Sequence, residues 1–171
     1  MKKIVCLALT AVMLLSALAC FTSCGEALKY ELSADGTYYI VAESLNAKGD
    51  FVIPDTYKDL PVKEVANSAF ANNTYITSVV FPDSIEVIGS SVFNNCHSLT
   101  GITIGKNVRE IKDYAFSGAS ALSEVNFCGT EEEWVTLCRY TTYTYKDETR
   151  KSSKVADDLK NAVVRFDYVR P

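Results

Sequence analysis

The chain has 171 residues, 48% of them hydrophobic and 11% aromatic, which suffices for one globular domain with its own core. Its 21 acidic residues outnumber its 17 basic ones and no basic cluster interrupts the sequence, so the composition argues against a nucleic-acid partner. The chain also lacks the polybasic stripe that binds anionic lipid headgroups.

The first 24 residues have the features of a secretory signal peptide. Two lysines precede an uncharged apolar run over 4–19, which is too short and wrongly flanked for a membrane-spanning helix. The small residues before Cys20 and Cys24 resemble the bacterial lipobox, in which the cysteine becomes acylated. We expect lipidation at Cys24, which Gly25 follows, with Cys20 as the alternative. The sequence therefore predicts an exported lipoprotein anchored at the cell surface, or alternatively a secreted protein.

The next segment predicts a β-hairpin followed by an irregular first repeat. Residues 28–32 and 37–41 have strand composition and flank Asp35-Gly36, a strong hairpin signal. Residues 51–54 resemble the strand ends of the later repeats, but an insertion around 57–61 lengthens the spacing to the next copy. Terminal repeats of solenoids are expected to be atypical because they must cover the open end of the core.

Three copies of a 23-residue apolar pattern occupy the middle of the chain. A period of this length is typical of leucine-rich repeats, whose units stack because no unit can bury its apolar residues alone. The alternation at the end of each copy predicts a short strand with one buried face, and stacking makes these strands a parallel sheet. The aligned anchors are Val65, Ala69, Phe70, Ile76, Val79 and Phe81; Ile88, Val92, Phe93, Leu99, Ile102 and Ile104; and Ile111, Ala115, Phe116, Leu122, Val125 and Phe127.

The C-terminal part predicts a cap for the other end of the core. Thr130 and Glu133 have the spacing of a capping box, which starts a short helix with Trp134 as a lid over the core. Residues 139–161 are polar and aperiodic, which favours a loop with a short helix near its end. Residues 162–169 alternate in polarity and predict a half-buried strand.

The sequence indicates neither an enzyme nor a metal or cofactor site. Cys96 occupies a slot that holds small residues in the sister repeats, so we expect a buried structural thiol. Cys128 and Cys138 either pair or stay free. His97 is the sole histidine and is expected in a solvated turn, and the acidic run 131–133 is explained by the dipole of the helix that it starts.

The repeats resemble the bacterial BspA-like leucine-rich repeat family. The family pattern Ile-x-x-x-Ala-Phe-x-x-Cys-x-x-Leu-x-x-Ile-x-Ile-Pro is fullest over 88–105, with Gly105 where the family often has proline. The stretch 129–134 and the opening 51–65 are also similar to the family. The resemblance implies a cell-surface protein, in some members one that adheres to host proteins, and it implies no catalytic residues.

The predicted fold is a short α/β leucine-rich repeat solenoid with an N-terminal β-hairpin cap and a C-terminal helix and strand cap. Its predicted parts are a signal segment over 1–24, a hairpin and irregular first repeat over 25–64, three repeats over 65–129, and a capping helix, polar loop and strand over 130–171.

Two surfaces are candidates for binding. The first is the outward side of the predicted strands, where the residues are small and rich in hydroxyl groups: Ser78, Val80, Gly101, Thr103, Glu124 and Asn126, with Thr77, Thr100 and Ser123 beside them. The second is the tyrosine-rich run that contains Tyr140, Tyr143 and Tyr145, which suits stacking on sugar rings or a protein contact. For both surfaces, the alternative is that the residues serve solubility and packing alone.

The leading functional hypothesis is a non-catalytic, surface-anchored binding or adhesion module for a protein partner, either of a host or of the envelope. The alternatives are a carbohydrate-binding protein that uses the tyrosine-rich run and a structural envelope component. Membrane contact is expected through the lipid anchor.

Overall fold

The computed structural model describes residues 27–138, 141–145, 148–152, 158–159 and 161–170. The predicted signal segment, with Cys20 and Cys24, and Tyr140 lie outside the described residues. Among the described residues, no helix is long and apolar enough to cross a membrane.

Five parallel strands form what we call the front sheet, in the spatial order β13-β10-β8-β6-β3. This arrangement confirms the parallel sheet predicted from the repeats, and the strand predicted near the C-terminus joins it as a fifth member. Its strands are β3 (Gly49–Val52), β6 (Ile76–Val80), β8 (Gly101–Ile104), β10 (Glu124–Phe127) and β13 (Val163–Arg165).

A second sheet, the back sheet, lies on the returning side of each turn in the order β1-β2-β5-β7-β9. Val65, Ile88 and Ile111 open the returning segments and pair in parallel there. The strands are β1 (Leu28–Leu32), β2 (Tyr39–Ser44), β5 (Leu60–Val65), β7 (Val87–Ile88) and β9 (Glu110–Ile111), with β4 (Thr56–Tyr57) paired to β5.

The predicted anchors form the core between the two sheets. Every one of them is at most 6% exposed. Phe93 lies at the centre, stacked between Phe70 at 5.4 Å and Phe116 at 6.0 Å between ring centroids. Phe81 meets it edge-on at 5.9 Å. The 23-residue period thus places one phenylalanine of each turn above the next.

The turns that carry these phenylalanines are joined directly to one another. The backbone N–H of Phe70 donates to the carbonyl of Val92 at 3.1 Å, and the backbone N–H of Phe93 donates to the carbonyl of Ala115 at 2.8 Å. Left-handed backbone recurs at the same two places in each turn, which keeps the turns superimposable. The residues are Ser68, Ser91 and Tyr114 at the first place and Asn72, Asn95 and Gly118 at the second.

The N-terminal end is closed by the predicted hairpin of β1 and β2. Asp35 organises its turn by accepting hydrogen bonds from the Ser33 hydroxyl at 2.7 Å and the Thr37 N–H at 3.0 Å. Tyr30 and Tyr57 stack at 4.0 Å between ring centroids, which joins this hairpin to the inserted one of β4 and β5. Lys58 and Asp59, both with positive φ, form the tight turn of that second hairpin.

The C-terminal end is closed by α1 (Glu131–Leu137). Its capping box is present as predicted: the Thr130 hydroxyl accepts from the Glu133 N–H at 3.3 Å, and the Glu133 carboxylate accepts from the Thr130 N–H at 2.8 Å. Trp134 is 7% exposed and packs on Phe127 with ring centroids 5.3 Å apart.

The prediction of a loop over 139–161 is wrong for its first part. Strands β11 (Thr141–Tyr145) and β12 (Glu148–Ser152) pair antiparallel there. Thr and Tyr alternate in this segment and favour extended backbone, a signal that its polar composition concealed. Most of the short helix predicted at its end lies outside the described residues.

The phenylalanine column is tested by Phe93→Ala. Deleting a fully buried ring is expected to lower the free energy of unfolding by about 3–5 kcal/mol, because the surrounding turns cannot collapse into the space. Chemical denaturation measures this, with Tyr75→Ala as the control because that ring is 68% exposed. A loss below about 1 kcal/mol for Phe93→Ala would contradict the inward register.

Candidate binding face

The outward positions of the front sheet form two continuous rows across all five strands. Alternation along each strand turns Val79, Ile102 and Val125 into the core and leaves their neighbours on the outer side. The strand register sets the order of both rows. The first row is Asp50, Ser78, Gly101, Glu124 and Val163; the second is Val52, Val80, Thr103, Asn126 and Arg165.

The six predicted face residues therefore lie together, and the structure adds residues at both ends of the rows. Asp50 was missed because the first turn carries an insertion, although the 28-residue spacing from Ile53 to Phe81, applied to Ser78, points to it. Arg165 was missed because the tail lacks the repeat pattern that would assign its strand a neighbour.

A shallow depression lies at the middle of this face. It has a volume of about 330 Å³ and lies where Gly101 interrupts the first row with no side chain. A Cβ added at Gly101 would meet only the Cβ of Ser78, at 3.8 Å, so the space above the strand is open. Thr103 and Asn126 line the depression and are 9% and 7% exposed. The centre of the face is thus a recess.

Two carboxylates lie in the first row on opposite sides of the recess: Glu124 lines it, and Asp50 lies on the next strand beyond Ser78. Asp50 accepts hydrogen bonds from the Ser78 hydroxyl at 2.8 Å and the Thr77 hydroxyl at 2.9 Å, and these bonds hold its pKa below the usual range. Glu124 pairs with Arg165 and accepts from the Asn126 amide at 2.8 Å, which lowers its pKa as well. Both are therefore ionised at neutral pH, and Arg165 offsets the charge at the β13 end.

The neighbouring hydroxyl groups serve the stack. The Thr100 hydroxyl donates to the Thr77 carbonyl at 3.0 Å, and the Ser123 hydroxyl donates to the Thr100 carbonyl at 3.3 Å. These groups add hydrogen bonds between successive turns near the N-terminal ends of β6, β8 and β10. Less of the hydroxyl-rich surface is therefore available to a partner than its composition suggests.

Comparisons with known proteins agree with this architecture. The family model for the BspA type leucine rich repeat region matches residues 50–145, in six copies. The chain is a BspA-type leucine-rich repeat protein.

Solved structures of bacterial leucine-rich repeat proteins show the same fold. The T. pallidum leucine rich repeat protein is 28% identical, with a TM-score of 0.57 over 60% of this chain and 51% of that one. A leucine-rich repeat protein from Bacteroides capillosus is 26% identical, with a TM-score of 0.54 over 58% of this chain and 77% of that one. A leucine rich cell surface protein from Faecalibacterium prausnitzii is 28% identical, with a TM-score of 0.50 over 60% and 31%.

The chain therefore spans about half the length of the T. pallidum protein. No curated protein matches it. The predicted family and the predicted solenoid fold are confirmed. Leucine-rich repeat scaffolds present extended surfaces that bind partners, which is consistent with a binding module.

Among the described residues of this BspA-type protein, no group of histidine, cysteine and acidic side chains could hold a metal ion.

Cys96 is buried as expected; its thiol donates to the Phe70 carbonyl at 3.1 Å, and burial raises its pKa to about 11. His97 faces away from it, with Nδ1 3.3 Å from the Ser120 hydroxyl. Cys128 is a free thiol, so the alternative in which it pairs with Cys138 is not formed in this structure.

The burial of the Cys96 thiol is expected to make the stability of the protein depend on pH. An unfolded thiol ionises near pH 9 and the folded one near 11, so the unfolded state loses a proton first as the pH rises. The free energy of unfolding should therefore fall between about pH 9 and pH 11. Cys96→Ala, which places alanine where the next turn has Ala119, should make this fall shallower in denaturation curves measured across the range. Equal slopes in the two proteins would contradict a buried, protonated thiol.

Proposed function

We propose that this chain is an exported, lipid-anchored binding module that holds a protein partner on the outer side of its front sheet and catalyses no reaction. The observation that carries the proposal is the recessed centre of that sheet, with Gly101 at its floor and ionised carboxylates at both flanks. A recess of this kind accepts a projecting side chain, while the flanks suit a partner with basic or hydroxyl groups.

The export of the chain is supported by the signal-like segment and the lipobox at Cys24 or Cys20. It is further supported by the Faecalibacterium prausnitzii protein, which is a leucine rich cell surface protein. Surface biotinylation of intact cells tests this part. The proposal expects labelling before lysis, and a chain that is labelled after lysis alone contradicts it.

The recess itself is tested by Gly101→Phe in the full-length chain. A ring at this position fills the recess, and the backbone tolerates it because the added Cβ meets only ordinary contact. Binding to the partner should weaken by about tenfold or more, the effect of blocking a central anchor pocket. His97→Phe is the matched control, because His97 is exposed in a turn away from the front sheet. Thermal melts should show both variants folded.

The partner is found by placing a photo-crosslinking phenylalanine analogue at Gly101 and, as a control, at His97. The expected result is a discrete protein adduct from position 101 alone. A host matrix protein as the adduct supports adhesion, and an envelope protein supports the structural alternative. Equal adducts from both positions would contradict a binding site on the front sheet.

The carbohydrate alternative rests on the tyrosine-rich run. Tyr143 and Tyr145 lie two positions apart on the extended strand β11, and this regular spacing, which an irregular loop would not provide, supports the carbohydrate alternative. The test is binding to a glycan array. If Tyr143→Ala abolishes that binding and Gly101→Phe leaves it intact, the binding site lies on β11 and not on the front sheet.

A further inference from the structure

We propose that one corner of the solenoid rests against the membrane surface, so that the front sheet stands with β3 nearest the bilayer and β13 farthest from it. This inference rests on the lipid anchor of the proposed function. The N-terminal corner, as we call it, consists of the loop 45–48, the turn 73–75 and Ala27.

Hydrogen bonds join the three parts of this corner. The Ala27 carbonyl accepts from the Leu45 N–H at 2.7 Å, which fixes the point where the chain enters the fold. The Asn73 amide donates to the Ala47 carbonyl at 2.9 Å, and the Gly49 N–H donates to the Tyr75 carbonyl at 2.8 Å. The start of the described chain is thus held beside both the loop and the turn.

The surface of the corner has the chemistry of a membrane interface. Leu45 is 52% exposed, Tyr75 is 68% exposed, and the Lys48 ammonium lies 5.4 Å from the centre of the Tyr75 ring. The next two turns carry Ser98 and Ala121 where this turn has Tyr75. The aromatic group is therefore specific to the end of the solenoid where the chain enters. Tyrosine, leucine and lysine together favour the zone between lipid headgroups and acyl chains.

The length of the anchor brings this surface to the membrane. Cys24 precedes Ala27 by three residues, a span of at most about 11 Å when fully extended. The headgroup layer is itself about 5–7 Å thick on each side of the bilayer. An acyl chain on Cys24 therefore keeps Ala27 within a short distance of the membrane interface. Anchoring at Cys20 would extend the reach to about 25 Å and release this constraint.

The opposite end of the front sheet provides a reference point. Four strand spacings of about 4.8 Å separate β3 from β13, or about 19 Å in total. Val163 on β13 is 60% exposed, similar to Tyr75, and lies at that far end. A probe at each position therefore reports the orientation of the solenoid.

The test uses the chain as cells export and process it, reconstituted into vesicles of equal parts phosphatidylcholine and phosphatidylglycerol, with or without bromine near the glycerol end of the acyl chains. Tyr75→Trp and Val163→Trp each add one indole to the parent, whose single tryptophan, Trp134, is buried and gives the baseline. We expect the indole of Tyr75→Trp to lose about half of its emission in brominated vesicles, as for a group at the headgroup–acyl boundary. The indole of Val163→Trp should lose none.

Equal quenching of the two indoles, or none for Tyr75→Trp, overturns the proposed orientation. The mass of the N-terminal peptide separates this failure from that of the anchor. Acylated Cys24 with an unquenched indole at position 75 overturns the orientation and leaves the proposed function intact. A chain that carries no acyl group and stays off the vesicles overturns both.

Discussion

Each turn of the solenoid is held to the next by backbone hydrogen bonds between positions about 23 residues apart, and every other feature of the molecule depends on this register. Val79, Ile102 and Val125 face the core together because β6, β8 and β10 pair without a shift. The same register stacks the phenylalanine rings at 5.4 and 6.0 Å. A slip of one residue between turns would turn the whole buried set of a strand to solvent, so the core and the ladder enforce one another.

The register also determines what the outer face can offer. Side chains at equal positions become neighbours in a row, so the face changes character only where the repeats differ from one another. Gly101 creates a recess because its row neighbours, Ser78 and Glu124, have side chains and it has none. The charges at the two ends of the rows belong to the irregular parts of the chain, Asp50 in the first turn and Arg165 in the tail, and Glu124 adds a charge within the third repeat. The chemical character of this face therefore depends on departures from the repeat.

The features that repeat are the ones that the sequence predicts well. Phe70, Phe93 and Phe116 are predictable because one physical requirement, burial against the adjacent turn, selects the same residue type at each copy. The capping box at Thr130 is predictable because its chemistry is local. Long-range pairing of irregular segments is different. The alternation over 162–169 predicts a strand, but the pairing of Val163–Arg165 with β10 follows from tertiary fit, which leaves no trace in the sequence. The strand pair after α1 has a local signal, the alternation of Thr and Tyr, which the polar composition of the segment conceals.

The size of the front sheet limits how tightly one copy binds. Five strands at about 4.8 Å and three to five residues each, at about 3.3 Å per residue, give a face on the order of 300 Å². A stable protein interface takes about 800 Å² from each partner. The recess at Gly101 can concentrate affinity but cannot supply the missing area. Under the proposed lipid anchor, many copies on one membrane surface would raise the effective concentration of sites for a repeated partner, so this anchor and the small face suit multivalent contact.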